Sequence, residues 1–320
     1  MSSDLWSITS YFNPCRYKTK RANFDAFMEG MDKVGANILV VELGFEDEEI
    51  ELPKSDRVLQ LRGTGVMWQK ERLLNVAAAS LPDSCTKVAW LDCDLLFENP
   101  EWPRLTSEAL DEYMIVQPFS TAVRLPRGVR KADGRGEYYD SYAQIFSENP
   151  RLARTADFVY HGHTGFAWAA RRELFEKVGL YDACLTGSGD HLMAHGFVGG
   201  LKLSPCLRRV IHGQRHYGQH FIEWAIKARD LVDGKLGVVP GNLLHLWHGD
   251  LVDRRYAEMN QQFATFDFNP NRDLRYDENG LWEWNEASPE LQKWATDFFW
   301  IRREDGDPDA PLQQKTQARA

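Results

Sequence analysis

The stretch Lys87–Pro100, K-V-A-W-L-D-C-D-L-L-F-E-N-P, decides which fold is predicted for this chain. Val88–Leu91 is an apolar run with the length and composition of a buried strand in a parallel sheet. Asp92 and Asp94 follow it, and an extended backbone would point both carboxylates to one face. Open α/β sheets bind ligands at the carboxyl ends of their strands, so the pair predicts a site for a divalent cation that carries a diphosphate. A solvated acidic turn before the downstream Asn-Pro pair is the alternative interpretation.

Predicted strands and helices alternate along the chain around this stretch. Apolar runs predict further strands over 5–11, 37–43, 58–61, 111–117, 236–239 and 242–247. Apolar residues at helical spacing predict helices over 21–34, 66–80, 219–232 and 250–262. The alternation is typical of a doubly wound parallel sheet, so an α/β fold is predicted. The basic segment 120–139 is too polar for a core and is predicted to be a mobile loop.

The length of the chain, its net charge and its number of cysteines limit the classes of protein to which it can belong. The chain has 320 residues and 43% hydrophobic residues, enough for one large α/β domain or two small ones. Its net charge of −9 argues against a nucleic-acid-binding surface, which needs an excess of clustered lysine and arginine. Its five cysteines are odd in number and contain no C-x-x-C pair, so they are predicted to be reduced thiols. No apolar run approaches the roughly 18 residues of a membrane span, and Met1–Ser10 lacks the features of a secretory signal, so a soluble cytoplasmic protein is expected.

Two segments resemble a known family. The sequence W-L-D-C-D at Trp90–Asp94 resembles the D-x-D signature of nucleotide-sugar-dependent glycosyltransferases with the GT-A fold. Thr164–Asp182, T-G-F-A-W-A-A-R-R-E-L-F-E-K-V-G-L-Y-D, resembles the segment that covers the donor sugar in enzymes like glycosyltransferase family 2. The resemblance extends from Ile8 to Tyr256 and implies a Rossmann-like, mostly parallel central sheet flanked by helices. The aromatic residues after Trp282 then predict a helical C-terminal extension that wraps the domain.

The resemblance also implies which residues bind the donor. In GT-A enzymes the loop after the first strand commonly holds the base and ribose, which makes Tyr11, Asn13 and Arg16 candidates. Arg171 would be a donor-site cation, or else a surface partner of the neighbouring glutamates, as would Arg172. The predicted donor-binding residues are Tyr11, Asn13, Arg16, Arg62, Asp92, Asp94 and Arg171.

A histidine near the end of the chain completes the metal site in several GT-A families. His248, followed by Gly249, matches that position best. His245 would lie on the opposite face if the strand continued, so one of the two histidines is expected only to pack. The candidate ligands of Mn²⁺ or Mg²⁺ are Asp94, His248, Asp92 and His245. The i, i+4, i+8 series His212, His216 and His220 has zinc-ligand spacing, but Gly213 and Gly218 interrupt the helix, which favours packing roles.

Asp190 is the candidate catalytic base. The family places an acidic pair at the start of a helix here, and its last carboxylate takes the acceptor proton. In this chain Gly189 precedes Asp190, so a single carboxylate remains. A base in this position implies inversion, although retention stays open, and a purely structural helix cap would have the same sequence.

These residues predict a metal-dependent glycosyltransferase that moves a sugar from a nucleotide-sugar donor, a UDP-sugar foremost, to a hydroxyl of a carbohydrate or glycan acceptor. A nucleotidyltransferase is one alternative, although Tyr11–Pro14 is not its glycine-rich loop. A catalytically silent carbohydrate-binding protein is another, although it would not need Asp92, Asp94, Asp190 and His248 together. A single domain is predicted over 1–303, with a nucleotide-binding half (1–117), an acceptor half (118–250) and a C-terminal wrap (251–303), followed by a disordered tail over 304–320.

Overall fold

The computed structural model describes residues 4–47 and 49–306, so most of the predicted disordered tail, 307–320, lies outside the described residues. Its strands are β1 (Leu5–Tyr11), β2 (Asn37–Phe45), β3 (Val58–Gly63), β4 (Lys87–Leu91), β5 (Leu95–Phe97), β6 (Ile115–Gln117), β7 (Thr121–Arg124), β8 (Glu137–Asp140), β9 (Ala167–Arg171), β10 (Gly237–Val238), β11 (Asn242–His245), β12 (Leu274–Tyr276) and β13 (Trp282–Trp284). Its helices are α1 (Lys18–Lys33), α2 (Lys70–Ala79), α3 (Trp102–Glu112), α4 (Tyr142–Glu148), α5 (Pro150–Thr155), α6 (Arg172–Lys177), α7 (Gly189–Val198), α8 (Pro205–Ile211), α9 (Arg215–Val232), α10 (Leu251–Arg254), α11 (Tyr256–Phe263), α12 (Pro270–Asp273) and α13 (Pro289–Ile301), with 3₁₀ turns at Leu201–Leu203 and Ala264–Phe266.

The central sheet has the strand order β10-β6-β9-β4-β1-β2-β3. Strand β1 runs parallel to β2 and β4, and β2 runs parallel to β3, whereas β9 is antiparallel to β4 and β6. Strand β4 is buried along its whole length, and its alternate side chains pack into two apolar clusters on opposite faces of the sheet. The predicted α/β class with a mostly parallel central sheet flanked by helices is confirmed, and so is the buried strand before Asp92.

A smaller sheet, with the order β5-β11-β7-β8, brings the segment after Asp94 next to the segment around His245. Strand β5 follows Asp94 directly, and it pairs with β11 so that Leu95 lies opposite His245. The backbone N–H of Leu246 donates to the carbonyl of Asp94 at 2.9 Å. Segments far apart in sequence are therefore held in register beside the D-x-D turn.

The prediction of a loop over 120–139 was wrong at both ends, which form β7 and β8. Ala122 and Val123 are fully buried, and β7 pairs in parallel with β11 and antiparallel with β8. The many arginine and lysine residues of the segment made it look too polar for a strand, although Ala122 and Val123 form a short apolar pair within it. The predicted helix over 250–262 is also interrupted, because Arg255 adopts a φ of 44° between α10 and α11.

The C-terminal aromatic residues form part of the main core, as the predicted wrap requires. Helix α13 buries Trp294, Phe298 and Phe299, and Phe299 contacts both Phe12 and Trp68. The division of the chain into two halves stays a prediction. Among the described residues, no helix has both the length and the apolar character needed to span a membrane.

Candidate active site

A cleft of about 880 Å³ opens at the carboxyl ends of β1 and β4. Asp92 and Asp94 line it, as do Asp190, His245 and His248. This volume falls in the range of about 300–1,000 Å³ that is usual for small-molecule sites. The structure therefore gathers the predicted base and the predicted metal ligands in one cavity, at the sheet edge where α/β folds bind ligands.

Asp94, His245 and His248 form a candidate metal centre whose ligand atoms lie within 4.8 Å of one another. The Nε2 atoms of the two histidines are 3.0 Å apart, and His248 Nε2 lies 3.1 Å from Asp94 Oδ2. Both histidines reach Asp94, because β11 ends at His245 and the chain turns before His248, and whether one of them only packs stays a prediction. Asp92 is absent from this group and faces the ammonium of Lys70 instead, at 3.1 Å.

The electrostatics of these three residues suit a divalent cation. Burial raises the pKa of Asp94 to about 7, helped by the nearby Asp92 carboxylate, and Asp94 Oδ1 has no hydrogen-bond partner among the described residues. Burial lowers the pKa of His248 to about 4, with the Arg254 guanidinium acting in the same direction, and it also lowers the pKa of His245 well below its usual value. Two neutral imidazoles and an unsatisfied carboxylate oxygen are nitrogen and oxygen ligands that Mn²⁺ and Mg²⁺ accept, so the residues present fit such an ion.

Positive side chains surround this centre. Arg254 donates to His248 Nε2 at 2.7 Å, a contact that a bound cation would replace, and Lys20 and Arg302 line the same part of the cleft. Burial alone would raise the pKa of Tyr256, but Arg254 and Arg302 lower it to about 8. Three cations beside an acidic turn provide the local positive charge that this acidic chain needs to bind a phosphorylated ligand.

Glu304 belongs to the site, so the predicted boundary of the disordered tail was wrong. Its carboxylate accepts from Arg302 Nε at 2.8 Å and lies 3.6 Å from His248 Nδ1, and the residue is only 4% exposed. Burial alone would raise the pKa of Glu304, but Arg302, Lys20 and His248 together keep it well below its usual value. Its polar sequence context resembles that of the residues after it, so no pattern in the sequence signalled this role.

Asp190 lies in the first turn of α7, where the helix dipole favours the ionised carboxylate. Lys70 Nζ lies 3.1 Å from Asp190 Oδ2 and 3.1 Å from Asp92 Oδ1. Burial raises the pKa of Asp190, while the Lys70 ammonium opposes that shift. Lys70 is the first residue of the predicted and confirmed helix α2, but no motif in the sequence marked it as part of the site.

A second carboxylate does lie beside Asp190, and it comes from α2. A Cβ atom placed on Gly189 would lie 2.6 Å from Glu71 Oε1, so Glu71 fills the space that a side chain at position 189 would need. Glu71 is 1% exposed, neither carboxylate oxygen has a hydrogen-bond partner among the described residues, and burial raises its pKa to about 8. Position 189, where the family has an acidic residue, is a glycine in this chain. The carboxylate of Glu71, which is distant in sequence, occupies the space beside it.

The predicted base-and-ribose residues face away from the cleft. Ser10 and Phe12 line it, whereas Tyr11 and Asn13 project to the other side because side chains alternate along an extended chain. All three candidate side chains contact the carboxylate of Glu51. The Tyr11 hydroxyl donates to it at 2.6 Å, the Asn13 amide donates to it at 3.3 Å, and Arg16 forms an ion pair with it at 3.1 Å. These three predictions were therefore wrong about which residues face the ligand.

The structure also places both remaining donor candidates outside the cleft. Arg171 lies opposite Lys87 at the start of β4, the far end of the strand from Asp92, and donates to the carbonyl of Leu110 at 2.7 Å. Arg62 donates to the carbonyl of Glu46 at 2.9 Å at the end of β3, the outermost strand of the central sheet. The antiparallel direction of β9 removes Arg171 from the site, and the lateral distance of β3 removes Arg62; residue type alone revealed neither.

The second wall of the cleft is aromatic. Tyr138, Phe158 and Tyr160 line it, and Tyr138 and Tyr160 are exposed. Below them, Arg124 Nη2 lies 3.0 Å from His163 Nε2, and the His163 ring stacks on Phe166 with centroids 3.8 Å apart. Phe166 stacks in turn on His245, which links this wall to the candidate metal centre.

Of the three zinc-spaced histidines, His212 and His216 are exposed and His220 is half-buried. His212 follows the end of α8, and His220 on α9 lies 3.3 Å from the hydroxyl of Tyr181. Gly218 lies inside α9, so that glycine does not interrupt the helix as predicted.

No protein-family model and no curated protein sequence matches this chain. Among solved structures, this chain is similar to a mutant β1,4-galactosyltransferase 7 from Drosophila in complex with manganese, UDP-Gal and xylobiose. The two chains are 13% identical, the TM-score is 0.34, and the match covers 74% of this chain and 64% of that one. This chain is similar to mannosyl-3-phosphoglycerate synthase from Rubrobacter xylanophilus, with 10% identity and a TM-score of 0.37 over 82% of this chain and 72% of that one.

A third similar structure is 4-diphosphocytidyl-2C-methyl-D-erythritol synthase from Anaerococcus prevotii, with 13% identity and a TM-score of 0.34 over 74% of this chain and 86% of that one. This chain spans about 64% of the length of the Drosophila protein. At these TM-scores the similarities do not assign a function, which is argued below from the site alone.

Proposed function

We propose that this protein is a metal-dependent glycosyltransferase that uses a nucleotide-sugar donor. The observation that carries the proposal is the convergence of Asp94, His245 and His248 in the same cleft as Arg254 and Arg302. A site with metal ligands beside buried guanidinium groups suits a diphosphate. The aromatic wall on the other side of the cleft suits a sugar, because sugars stack on aromatic rings through their apolar faces.

Each part of the cleft receives a role in this reaction. Asp94, His245 and His248 would hold Mn²⁺ or Mg²⁺, which supplies charge neutralisation for the diphosphate leaving group. Arg254, Arg302 and Lys20 bind the phosphate oxygens and hold the diphosphate in place. Their fixed positive charge is available where negative charge develops, without reorganisation of solvent.

Asp190 is the proposed base that takes the proton from the acceptor hydroxyl. Its carboxylate must be ionised for this step, and Lys70 at 3.1 Å helps to keep it so despite its burial. Lys70 Nζ also lies 3.1 Å from Asp92 Oδ1 and orients that carboxylate. Asp92 is then directed at the donor rather than at the metal. Attack from the side of Asp190 implies inversion at the anomeric carbon. A UDP-sugar donor, a glycan acceptor and a cytoplasmic location stay predictions.

Incubation of the full chain with a panel of nucleotide sugars and Mn²⁺ tests the proposal, with slow release of free sugar from the donor as the readout. We expect one donor to be hydrolysed, and we expect Asp94→Asn to abolish this. Arg171→Ala is the matched control, because Arg171 lies outside the cleft and should leave turnover unchanged.

A parallel incubation with sugar 1-phosphates and nucleoside triphosphates separates the two enzyme classes. Release of diphosphate there, without hydrolysis of any nucleotide sugar, would indicate a nucleotidyltransferase and refute the proposal. Binding of oligosaccharides with no turnover in either assay would indicate a carbohydrate-binding protein.

A further inference from the structure

A second group of metal-ligating side chains lies beneath the aromatic wall of the cleft. It consists of His161, in the segment between α5 and β9, His195 on α7 and Cys206 on α8. All three residues are buried, at 0%, 1% and 0% exposure, and their ligand atoms lie within 4.8 Å of one another. None of the three lines the cleft, so the group is distinct from the site around Asp94.

The hydrogen bonds of His161 fix its tautomer. Its Nδ1 lies 2.7 Å from the carbonyl oxygen of Gly162, which can only accept, so Nδ1 carries the hydrogen. The lone pair is then on Nε2, a buried atom with no hydrogen-bond partner among the described residues. Metal-ligating histidines commonly have this arrangement, in which one ring N–H donates to a carbonyl and the other nitrogen faces the ion.

The other two members have only weak contacts. His195 lies 3.4 Å from the Tyr142 hydroxyl through Nδ1 and 3.4 Å from Ser204 Oγ through Nε2. The Cys206 sulfur lies 3.7 Å from the carbonyl oxygen of Ala156. Both histidine contacts are longer than the usual 2.7–3.2 Å, so polar neighbours do not fully satisfy the cluster.

We propose that His161, His195 and Cys206 bind a structural zinc ion. Two imidazoles and a thiolate are a soft set that suits zinc, whereas Mg²⁺ and Mn²⁺ favour oxygen ligands. Tetrahedral zinc at about 2.0–2.3 Å from each ligand needs these atoms roughly 3.4–3.7 Å apart, so side-chain shifts of about 1 Å complete the site. The Cys206 thiol releases its proton to solvent on binding, and a water or the Tyr142 hydroxyl takes the fourth position.

The ion would tie together three segments that form one side of the cleft. His161 is followed by Gly162, His163 and Thr164, all of which line the cleft. His195 lies on α7, the helix that begins at Asp190. Zinc at this position therefore fixes the aromatic wall against the helix that carries the proposed base, and its presence does not depend on the proposed reaction.

Metal analysis and cobalt substitution of the full chain test this inference. We expect one equivalent of zinc in protein purified without added metal. Replacement by Co²⁺ should give a thiolate-to-cobalt charge-transfer band in the near ultraviolet, which the Asp94 centre cannot produce because it contains no sulfur. The band should persist in Asp94→Asn and disappear in Cys206→Ser. Cys184→Ser is the matched control, because Cys184 is an equally buried free cysteine outside the cluster and should keep the band.

The wild-type spectrum decides the question even if Cys206→Ser fails to fold. Absence of both zinc and the cobalt band from folded wild-type protein would overturn the inference. Persistence of the band in Cys206→Ser would overturn it as well, because the thiolate would then belong to another residue. Increased thermal stability on adding zinc, lost in His161→Gln, would support it.

Discussion

Replacement of Glu71 by glutamine should make the stability of this protein less dependent on pH. Burial raises the pKa of Glu71 from its ordinary value of 4.5 to about 8, although Lys70 Nζ lies 3.7 Å away. The folded protein therefore keeps a proton that the unfolded chain has already lost. Below pH 4.5 the group does not penalise folding. Folding stability is lost as the pH rises from 4.5 towards 8, and the loss is complete above the folded-state pKa.

The size of the effect follows from these two pKa values. Each pKa unit corresponds to about 1.4 kcal/mol, so Glu71 lowers the free energy of unfolding by about 2–3 kcal/mol between pH 6 and pH 9. Glutamine has nearly the same shape as the protonated acid and cannot lose a proton. The E71Q variant should therefore gain about 2–3 kcal/mol relative to wild type over that interval. The pKa of Asp94 is also raised, but Asp94 is present in both proteins, so its contribution to the pH dependence of the free energy of unfolding cancels in the comparison.

Urea unfolding at pH 6 and pH 9, followed by fluorescence of the eleven tryptophans, measures this difference. Glu42→Gln is the control, because Glu42 is equally buried but accepts from the backbone N–H groups of Glu51 and Leu52 at 2.6 and 2.9 Å. Glutamine keeps an oxygen that accepts from both groups but loses the charge and Oε2, which accepts from Gln60 Nε2 at 3.2 Å, so that variant should be destabilised by about 1–3 kcal/mol. An E71Q variant whose stability difference from wild type is the same at both pH values would refute the assignment of a raised pKa to Glu71.

Three further outcomes are expected. Asp190→Asn should melt near the parent temperature, since asparagine keeps an oxygen that can accept from Lys70, but should lower turnover by roughly 10²- to 10⁴-fold; near-parent turnover would show that Asp190 is not the base. His245→Ala and His248→Ala should each weaken Mn²⁺-dependent binding of uridine diphosphate by about 10-fold or more in calorimetry, and unchanged affinity in either variant would remove that histidine from the centre. Glu304→Ala should lower the free energy of unfolding by about 3 kcal/mol or more, because it leaves Arg302 buried without its carboxylate; a loss below about 1 kcal/mol would contradict the buried ion pair.

The sequence predicts most reliably the features that depend on neighbouring residues. The apolar run of β4 and its two aspartates are contiguous, so their burial and their position at a strand end follow from the local pattern. Strand β9 and helix α6 lie within Thr164–Asp182, the contiguous segment that carries the second family resemblance. The meeting of His248 with Asp94 was anticipated from the family resemblance and not from the pattern of residues.

The errors arise where a side chain's direction depends on distant segments. Arg171 was placed at the donor site by the family resemblance, but β9 runs antiparallel to β4 and carries it to the opposite end of the sheet. Glu71 was overlooked because it becomes a neighbour of Gly189 only when α2 packs against the start of α7. His245 and His248 were expected on opposite faces only if the strand continued, and nothing in the sequence shows that β11 ends at His245.

The closure of the cleft by Arg302 and Glu304 has a consequence for how this protein is made. Domains form during synthesis from the N-terminus onwards, and strands β1 to β4 need only the first third of the chain to pair. The residues beside His248, however, follow α13, whose Phe299 must first pack against Phe12. A ribosome-bound chain can thus have β1 to β4 paired while the side of the cleft that carries Arg302 and Glu304 is still incomplete. Completion of the cleft therefore waits until α13 has docked.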